Sequence, residues 1–366
     1  FEALTSVYQY AFFIKIELVH NERSKAMINV FIVGAGSVFD EKWSAPLQMG
    51  VKEGRLKVVG ILEPALERLH RAHQMFRGSI IWACRDVEEL SPVATDSVIL
   101  VLAPNHFPVI KEFSDWGCKQ FIVEKPLVSC DHEVTNIAKL IETRALKIYA
   151  VDHYLPKLLA LQLMTKGSDL RQAYIEWPGR TIYPHVILDA LGDLEGVAVT
   201  ILEGGDFCLP DLDKRPWLEH DPDIGGMLRD LGTHALAPLA ACGWLDEDAE
   251  VVIAQLAKIS DDRRRLHVLA HSKSVEMYVS ALIVSKGVPI HVTLGKIPTA
   301  GGQWSLAVRG TKGMLFAGIR SGQSLVAVPA SGEAVTFSLK CSVYQFILQE
   351  ACWFFEGRLP NFDGNV

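Results

Sequence analysis

An acid and an imidazole four residues apart can share one face of a helix. The chain places such a pair in Gly225-Gly226-Met227-Leu228-Arg229-Asp230-Leu231-Gly232-Thr233-His234. Read as the start of one helix, the stretch sets Asp230 and His234 one turn apart. Met227, Leu228, Leu231, Ala235, Leu236 and Leu239 supply an apolar side to bury. Such a helix can aim a base and a carboxylate at one spot, which suits proton transfer. A core Asp–His hydrogen bond would leave the same pattern, so the rest of the chain has to separate the two readings.

The elements able to position chemistry begin at Met27. Ile28 to Val33 is a β-branched run that breaks into Gly34-Ala35-Gly36, the start of a dinucleotide-binding βαβ unit. The glycines let the backbone approach a pyrophosphate, and the N-terminus of the following helix favours its charge. Phe39 stands where the third glycine of G-x-G-x-x-G would be, and Asp40 to Trp43 reads as a lengthened loop.

A second strand, Leu56 to Leu62, ends at Glu63, where a ribose 2′-hydroxyl would be held; a carboxylate there favours NAD over NADP. Further strands are expected at Ile80–Ala83, Ser97–Leu102, Gln120–Val123 and Lys147–Val151. Helices are expected at Ala65–Phe76, Pro108–Gly117 and Asp131–Arg144. This alternation predicts a doubly wound parallel Rossmann sheet. Ligands bind outside the carboxyl ends of such strands. Gly34, Gly36, Ser37, Glu63, Pro104, Asn105 and Glu124 are therefore the candidate cofactor residues, with Lys125, Asp152 and His153 on the same edge. Lys125-Pro126 is a candidate cis bond.

The second half is rich in short, often alternating runs: Ala173–Trp177, Val251–Lys258, Glu276–Val284, Pro289–Leu294, Ser305–Arg309 and Gly313–Phe316. They predict an α+β domain with an open, mostly antiparallel sheet, closed by a late helix over Val343–Phe355. The expected division is an extension at 1–26, a dinucleotide-binding domain at 27–151 and a substrate-binding and oligomerisation domain at 152–366.

The sheet, the Ala103-Pro104-Asn105 end of its fourth strand, Glu124-Lys125-Pro126 and Gly225-Gly226…Asp230…His234 together resemble the Gfo/Idh/MocA family of NAD(P)-dependent sugar and cyclitol oxidoreductases. The likeness runs from Met27 to about Asp363. It implies a catalytic group of Lys125, Asp230 and His234, an NAD or NADP cofactor, no metal, and a homodimer or homotetramer formed through the open sheet. It also implies one more helix beyond Val366. A narrower stretch, Asp152-His153-Tyr154-Leu155-Pro156-Lys157, resembles the Asp-His-Tyr-Leu-Gly-Lys signature of glucose-6-phosphate dehydrogenases, with Pro156 in place of glycine. Arg229-Asp230 resembles the Arg-Asp that precedes the catalytic histidine there. By this likeness Asp152, His153, Tyr154, Lys157 and Arg229 join Lys125 as substrate residues, and the substrate is a sugar phosphate.

The implied reaction moves a hydride between nicotinamide and a secondary alcohol or ketone. His234 takes the proton, and Lys125 hydrogen-bonds the reacting oxygen and shares the base role. Two alternatives remain open: a catalytically silent sensor of a nucleotide or sugar on the same fold, and a dehydrogenase of a non-phosphorylated cyclitol or deoxysugar. The net charge of −7 and the lack of a basic tract argue against nucleic acid. Seven cysteines without C-x-x-C suit a reducing cytoplasm, and no apolar run reaches the length of a membrane span. His185, His220 and His291 read as surface or strand positions, and Trp177, Trp217 and Trp304 as core anchors or sugar-lining residues.

Overall fold

The computed structural model describes residues 27–80, 82–90, 96–102, 106–128, 131–151, 175–177, 180–182, 191–205, 208–221, 225–241, 243–260, 262–263, 265–269, 275–298, 301–318, 324–330, 335–338 and 343–356. Six parallel strands make the first sheet: β1 (Ile28–Val33), β2 (Leu56–Leu62), β3 (Trp82–Cys84), β4 (Val98–Val101), β5 (Gln120–Val123) and β6 (Lys147–Ala150). Their spatial order is β3-β2-β1-β4-β5-β6, so the winding reverses between β1 and β4. In sheets of this order ligands bind at that point, outside the carboxyl ends of the strands. Val98 to Val101 are all buried, as a central strand covered on both faces requires. The helices α1 (Ser44–Lys52), α2 (Leu66–Met75), α3 (His106–Asp115) and α4 (Asp131–Arg144) flank this sheet.

Two local expectations shift. The third strand lies at Trp82–Cys84, two residues later than its apolar run suggested. The segment expected to be a lengthened loop is helical: the chain turns from Ser37, and Phe39–Trp43 is a π-helical turn running into α1. The reason is burial. Phe39 and Trp43 are both fully buried, and Phe39 meets Phe76 edge-on at 6.5 Å, so the residue that replaced the third glycine is a core anchor.

After a two-stranded hairpin of β7 (Ile175–Trp177) and β8 (Arg180–Ile182), nine strands form the second sheet. They are β9 (Leu194–Gly204), β10 (Glu250–Ile259), β11 (Leu266–Val268), β12 (Tyr278–Ser285), β13 (Val288–Ile297), β14 (Gln303–Gly310), β15 (Gly313–Gly318), β16 (Ser324–Pro329) and β17 (Val335–Ser338). The order is β11-β10-β12-β13-β9-β14-β15-β16-β17. Every neighbouring pair is antiparallel except β9 with β13. Strand β9, which the sequence reading passed over, sits between β13 and β14.

One face of this sheet packs on α5 (Cys208–Lys214), α6 (Trp217–His220), α7 (Met227–Asp230) and α8 (Gly232–Ala241) through Val199, Ile201, Val292, Leu294, Leu231 and Leu239. The last described helix, α9 (Val343–Phe355), returns to the first sheet. Its Tyr344, Ile347, Leu348 and Ala351 share a core with Val30, Ile32 and Trp43. No described helix is long and apolar enough to cross a membrane.

Candidate active site

Lys125 follows the end of β5 in a turn with a cis Lys125-Pro126 bond. From there its Nζ reaches the second half of the chain. It donates to the backbone oxygen of Asp230 at 2.9 Å and to Asp230 Oδ1 at 3.2 Å. Two residues 105 apart in sequence thus meet. His106, at the start of α3, supports the turn from the other side, its Nδ1–H donating to Pro126 O at 2.6 Å. Burial pulls the His106 imidazole below its ordinary range, against the opposing effects of the Pro126 bond and Glu133.

The stretch expected to begin one helix is two. The helix breaks at Leu231 (φ −109°, ψ −20°), between α7, which ends at Asp230, and α8, which carries His234. Both side chains are buried, Asp230 at 8% and His234 at 2% exposure. The glycine pair explains the entry. Gly226 has φ +96°, and a Cβ there would lie 2.5 Å from Glu276 Oε1. A Cβ on Gly225 would lie 2.5 Å from the backbone oxygen of Trp217. The close approach lets Glu276 cap α7: its backbone oxygen accepts from Met227 N–H at 3.0 Å and its carboxylate from Leu228 N–H at 3.0 Å.

Asp230 does not stand alone with Lys125. Its Oδ2 lies 3.0 Å from Lys296 Nζ, and its Oδ1 accepts from Arg215 Nη1 at 3.1 Å. Lys296 Nζ also contacts Asp211 Oδ2 at 2.9 Å and the Glu203 carboxylate. Arg215 Nε in turn donates to Asp211 Oδ1 at 2.9 Å. Lys125, Lys296 and Arg215 therefore face Asp230, Asp211 and Glu203. Burial alone would push the Asp230 carboxyl up, but the charges of Lys125, Lys296 and Arg215 outweigh it and hold the group well below the usual carboxylate range. Burial likewise opposes the Lys296 charge, and Asp230, Glu203 and Asp211 raise its affinity for the proton above an ordinary lysine's.

Sequence reasoning missed Lys296, Arg215, Asp211 and Glu203. A signal existed for two of them. Ile290, Val292, Leu294 and Lys296 alternate along the inward face of β13, as Val197, Val199, Ile201 and Glu203 do along β9, and each run ends in a charge.

The cofactor edge is built as a dinucleotide cradle would be. Gly34 turns with φ +94°, its N–H bonded to Leu62 O at 2.8 Å, and the chain becomes helical from Ser37. These features fit a pyrophosphate between Gly34, Gly36 and Ser37. Glu63 is buried at the end of β2. Its Oε2 accepts from Ala35 N–H at 2.7 Å and its Oε1 from Ala65 N–H at 3.0 Å. Arg68 Nη1 lies 3.6 Å from where a side chain on Gly36 would begin, and Arg71 Nε donates to Asp40 Oδ1 at 3.1 Å. Glu124 is turned inward. Trp43 Nε1 donates to its Oε1 at 2.7 Å, and burial raises its carboxyl despite that bond and a further one from Tyr344.

Pro104, Asn105, Asp152, His153, Tyr154 and Lys157 lie outside the described residues, as do His185 and the segment 1–26. Arg229 is exposed on α7. His220 and His291 are exposed, Trp304 is buried in the core of the second sheet, and Trp217 lies at the surface under the Arg215 guanidinium, 5.9 Å from its ring.

Residues 28–153 match the family model for the Gfo/Idh/MocA proteins, an oxidoreductase family with an NAD-binding Rossmann fold. The match spans the parallel sheet of the first half, so the likeness to an NAD-binding Rossmann fold covers that part of the chain. A search of curated proteins returns no match. Among solved structures, the chain is similar to a 3-ketoreductase from Actinomadura kijaniata in complex with TDP-benzene and NADP, at 17% identity over 93% of both chains with a TM-score of 0.63. It is similar to a UDP-N-acetylglucosamine 3-dehydrogenase from Acidithiobacillus ferrooxidans, at 14% identity over 91% of this chain and 90% of that one, TM-score 0.61. It is also similar to an oxidoreductase from Agrobacterium radiobacter in complex with NAD+, L-tartaric acid and magnesium, at 13% identity over 92% and 91%, TM-score 0.63. At such identities the likeness establishes the two-domain fold. The pairing of a parallel Rossmann-like sheet with a large, mostly antiparallel sheet therefore holds for this chain.

Proposed function

We propose that the protein is an NAD(P)-dependent dehydrogenase or reductase acting on a secondary alcohol or ketone of a sugar or sugar derivative. The observation that carries this is the meeting of Lys125 with Asp230, from opposite halves of the chain, at the carboxyl edge of the first sheet, with His234 buried four residues further on. When bound, nicotinamide supplies the hydride acceptor or donor. Gly34, Gly36 and Ser37 would hold its pyrophosphate.

Lys125 spends two of its donors on Asp230 and presents the third to the substrate oxygen, where it steadies developing negative charge. His234 takes the proton from the hydroxyl in oxidation and returns it in reduction. Asp230, its oxygens engaged by Lys125, Arg215 and Lys296, holds the lysine in place. The substrate's class is the open part of the reading. His153, Tyr154 and Lys157 favour a phosphorylated sugar, by resemblance. The names of two similar structures, one in complex with TDP-benzene and one a UDP-N-acetylglucosamine 3-dehydrogenase, favour a nucleotide-linked sugar.

An absorbance assay for NAD(P)H with a panel of sugars, sugar phosphates and nucleotide sugars tests the activity. Lys125→Ala and His234→Ala are each expected to lower turnover by about 10²–10⁴-fold. Near-full turnover in both would exclude the assignment. The Glu63 carboxylate favours NAD, while Arg68 and Arg71 are the cations a 2′-phosphate would meet. Fluorescence titration should give tighter NADH than NADPH binding, and Glu63→Ser should shift the ratio towards NADPH; equal affinities in the unaltered protein would remove Glu63 from cofactor choice.

A further inference from the structure

Lys296 is 1% exposed, among the most deeply buried charges described in the molecule. Taking an ammonium out of water costs several kcal/mol before any partner is counted. Position 296 does not need a charge for the fold. It continues the inward face of β13 after Ile290, Val292 and Leu294, and an apolar side chain there would extend the core. Instead its three donors meet three carboxylates: Glu203, its register partner on β9, Asp211 on α5 at 2.9 Å and Asp230 on α7 at 3.0 Å. Of the three, Asp230 alone also holds Lys125. The charge buried at the top of β13 is thus one carboxylate away from the lysine that faces substrate.

Resting on the reading of Lys125 as the group that contacts the reacting oxygen, we propose that Lys296 is a positioning residue, which clamps Asp230 against the end of the second sheet and thereby aims Lys125 at that oxygen. The geometry gives each oxygen of Asp230 a separate task. Oδ2 is anchored by Lys296, and Oδ1 receives Lys125 and Arg215. Arg215 is itself fixed by Asp211, the second carboxylate on Lys296. Removing Lys296 frees Oδ2, lets the carboxylate rotate about its last bond and unties the Asp211 side of the Arg215 clamp. Lys125 then keeps its charge but loses its direction, and a misdirection of about 1 Å at a reacting centre costs up to about 100-fold in rate.

Lys296→Met alone leaves three carboxylates facing Lys125 and Arg215, and it is expected to destabilise the fold. The decisive variant is Lys296→Met with Glu203→Gln, which removes one cation and one anion and leaves Asp230 and Asp211 unaltered. The folded double variant is expected to bind NADH as the unaltered protein does, to keep its KM within a few-fold and to lose about 10- to 100-fold in kcat. A second reading needs no turnover. Acetylation of Lys125 by an amine-reactive ester, followed by peptide mass spectrometry, should be several-fold faster in the double variant, because the lysine is no longer held.

Unchanged kcat together with unchanged Lys125 labelling in the folded variant would overturn the proposal. A double variant that cannot fold would assign Lys296 to the core and overturn it equally. If the unaltered protein turns over no sugar, the functional reading fails. Labelling still decides between a Lys296 that positions Lys125 and one that does not.

Discussion

Lys125, Asp230 and His106 show how much a single side chain can carry beyond its own chemistry. His106 touches no proposed substrate, yet it holds Pro126 from α3, and Pro126 follows Lys125. Its imidazole is kept neutral by burial, with a folded value below the ordinary 6.5. The unfolded chain therefore binds the extra proton first as pH falls. The stabilisation is complete above the ordinary imidazole range and is lost on acidification below it. Melting temperatures measured from pH 8 to pH 5 should fall more steeply in the unaltered protein than in His106→Gln, which retains a donor to Pro126. Parallel curves would show that His106 is not the titrating group. Asp230 acts in the same direction at much lower pH, since its depressed carboxyl gives up its contribution only when protonated well below the usual carboxylate range.

At the scale of elements, the glycine pair before α7 sets where Asp230 stands. Gly225→Ala would drive a methyl to 2.5 Å from Trp217 O and 2.6 Å from Asp221 O, both backbone atoms that cannot swing aside. A loss of about 1–3 kcal/mol, with reduced turnover, is expected from chemical denaturation and the NADH assay. A wild-type midpoint would mean the turn can move as a unit.

The same scale shows what was legible. Gln120–Val123, Asp131–Arg144 and Val343–Phe355 lie where their periodicity places them, because each is long or apolar enough to declare its own geometry. Strand β9 did not declare itself. Its pattern is interrupted by Glu195, Gly196 and Thr200, and its partners β13 and β14 follow roughly a hundred residues later. The break at Leu231 was hidden because the apolar spacing of one helix also serves two short ones packed on the same sheet. Lys125, Asp230 and His234 could be singled out because their motifs are local. The alternating run of β13 marks Lys296 as an inward charge, but its role depends on Glu203, 93 positions away, and on two helices between.

For the molecule as a whole, the second sheet leaves an apolar surface at one end. Val251, Val252 and Ile253 on β10 and Val268 on β11 are 59–65% exposed. Exposed apolar strand residues of this kind favour association, and the family resemblance implies a dimer or tetramer. Light scattering after size exclusion should give a multiple of 40.5 kDa. Ile253→Lys should shift that mass downwards without altering NADH binding, whereas a monomeric unaltered protein would remove this role from the patch.

The return of α9 has a further consequence, for the order in which the chain is made. One side of the first sheet is completed only when Tyr344 lies edge-on to Trp43, at 5.2 Å, and Ile347 and Leu348 close over Val30 and Ile32. A ribosome that has released the whole dinucleotide-binding stretch has therefore not yet supplied its last wall. The Trp43 indole, which also holds Glu124 beside Lys125, waits without its aromatic partner through roughly two hundred residues of synthesis. The nine-stranded sheet is threaded into that interval, so the domain begun first is among the last to be sealed.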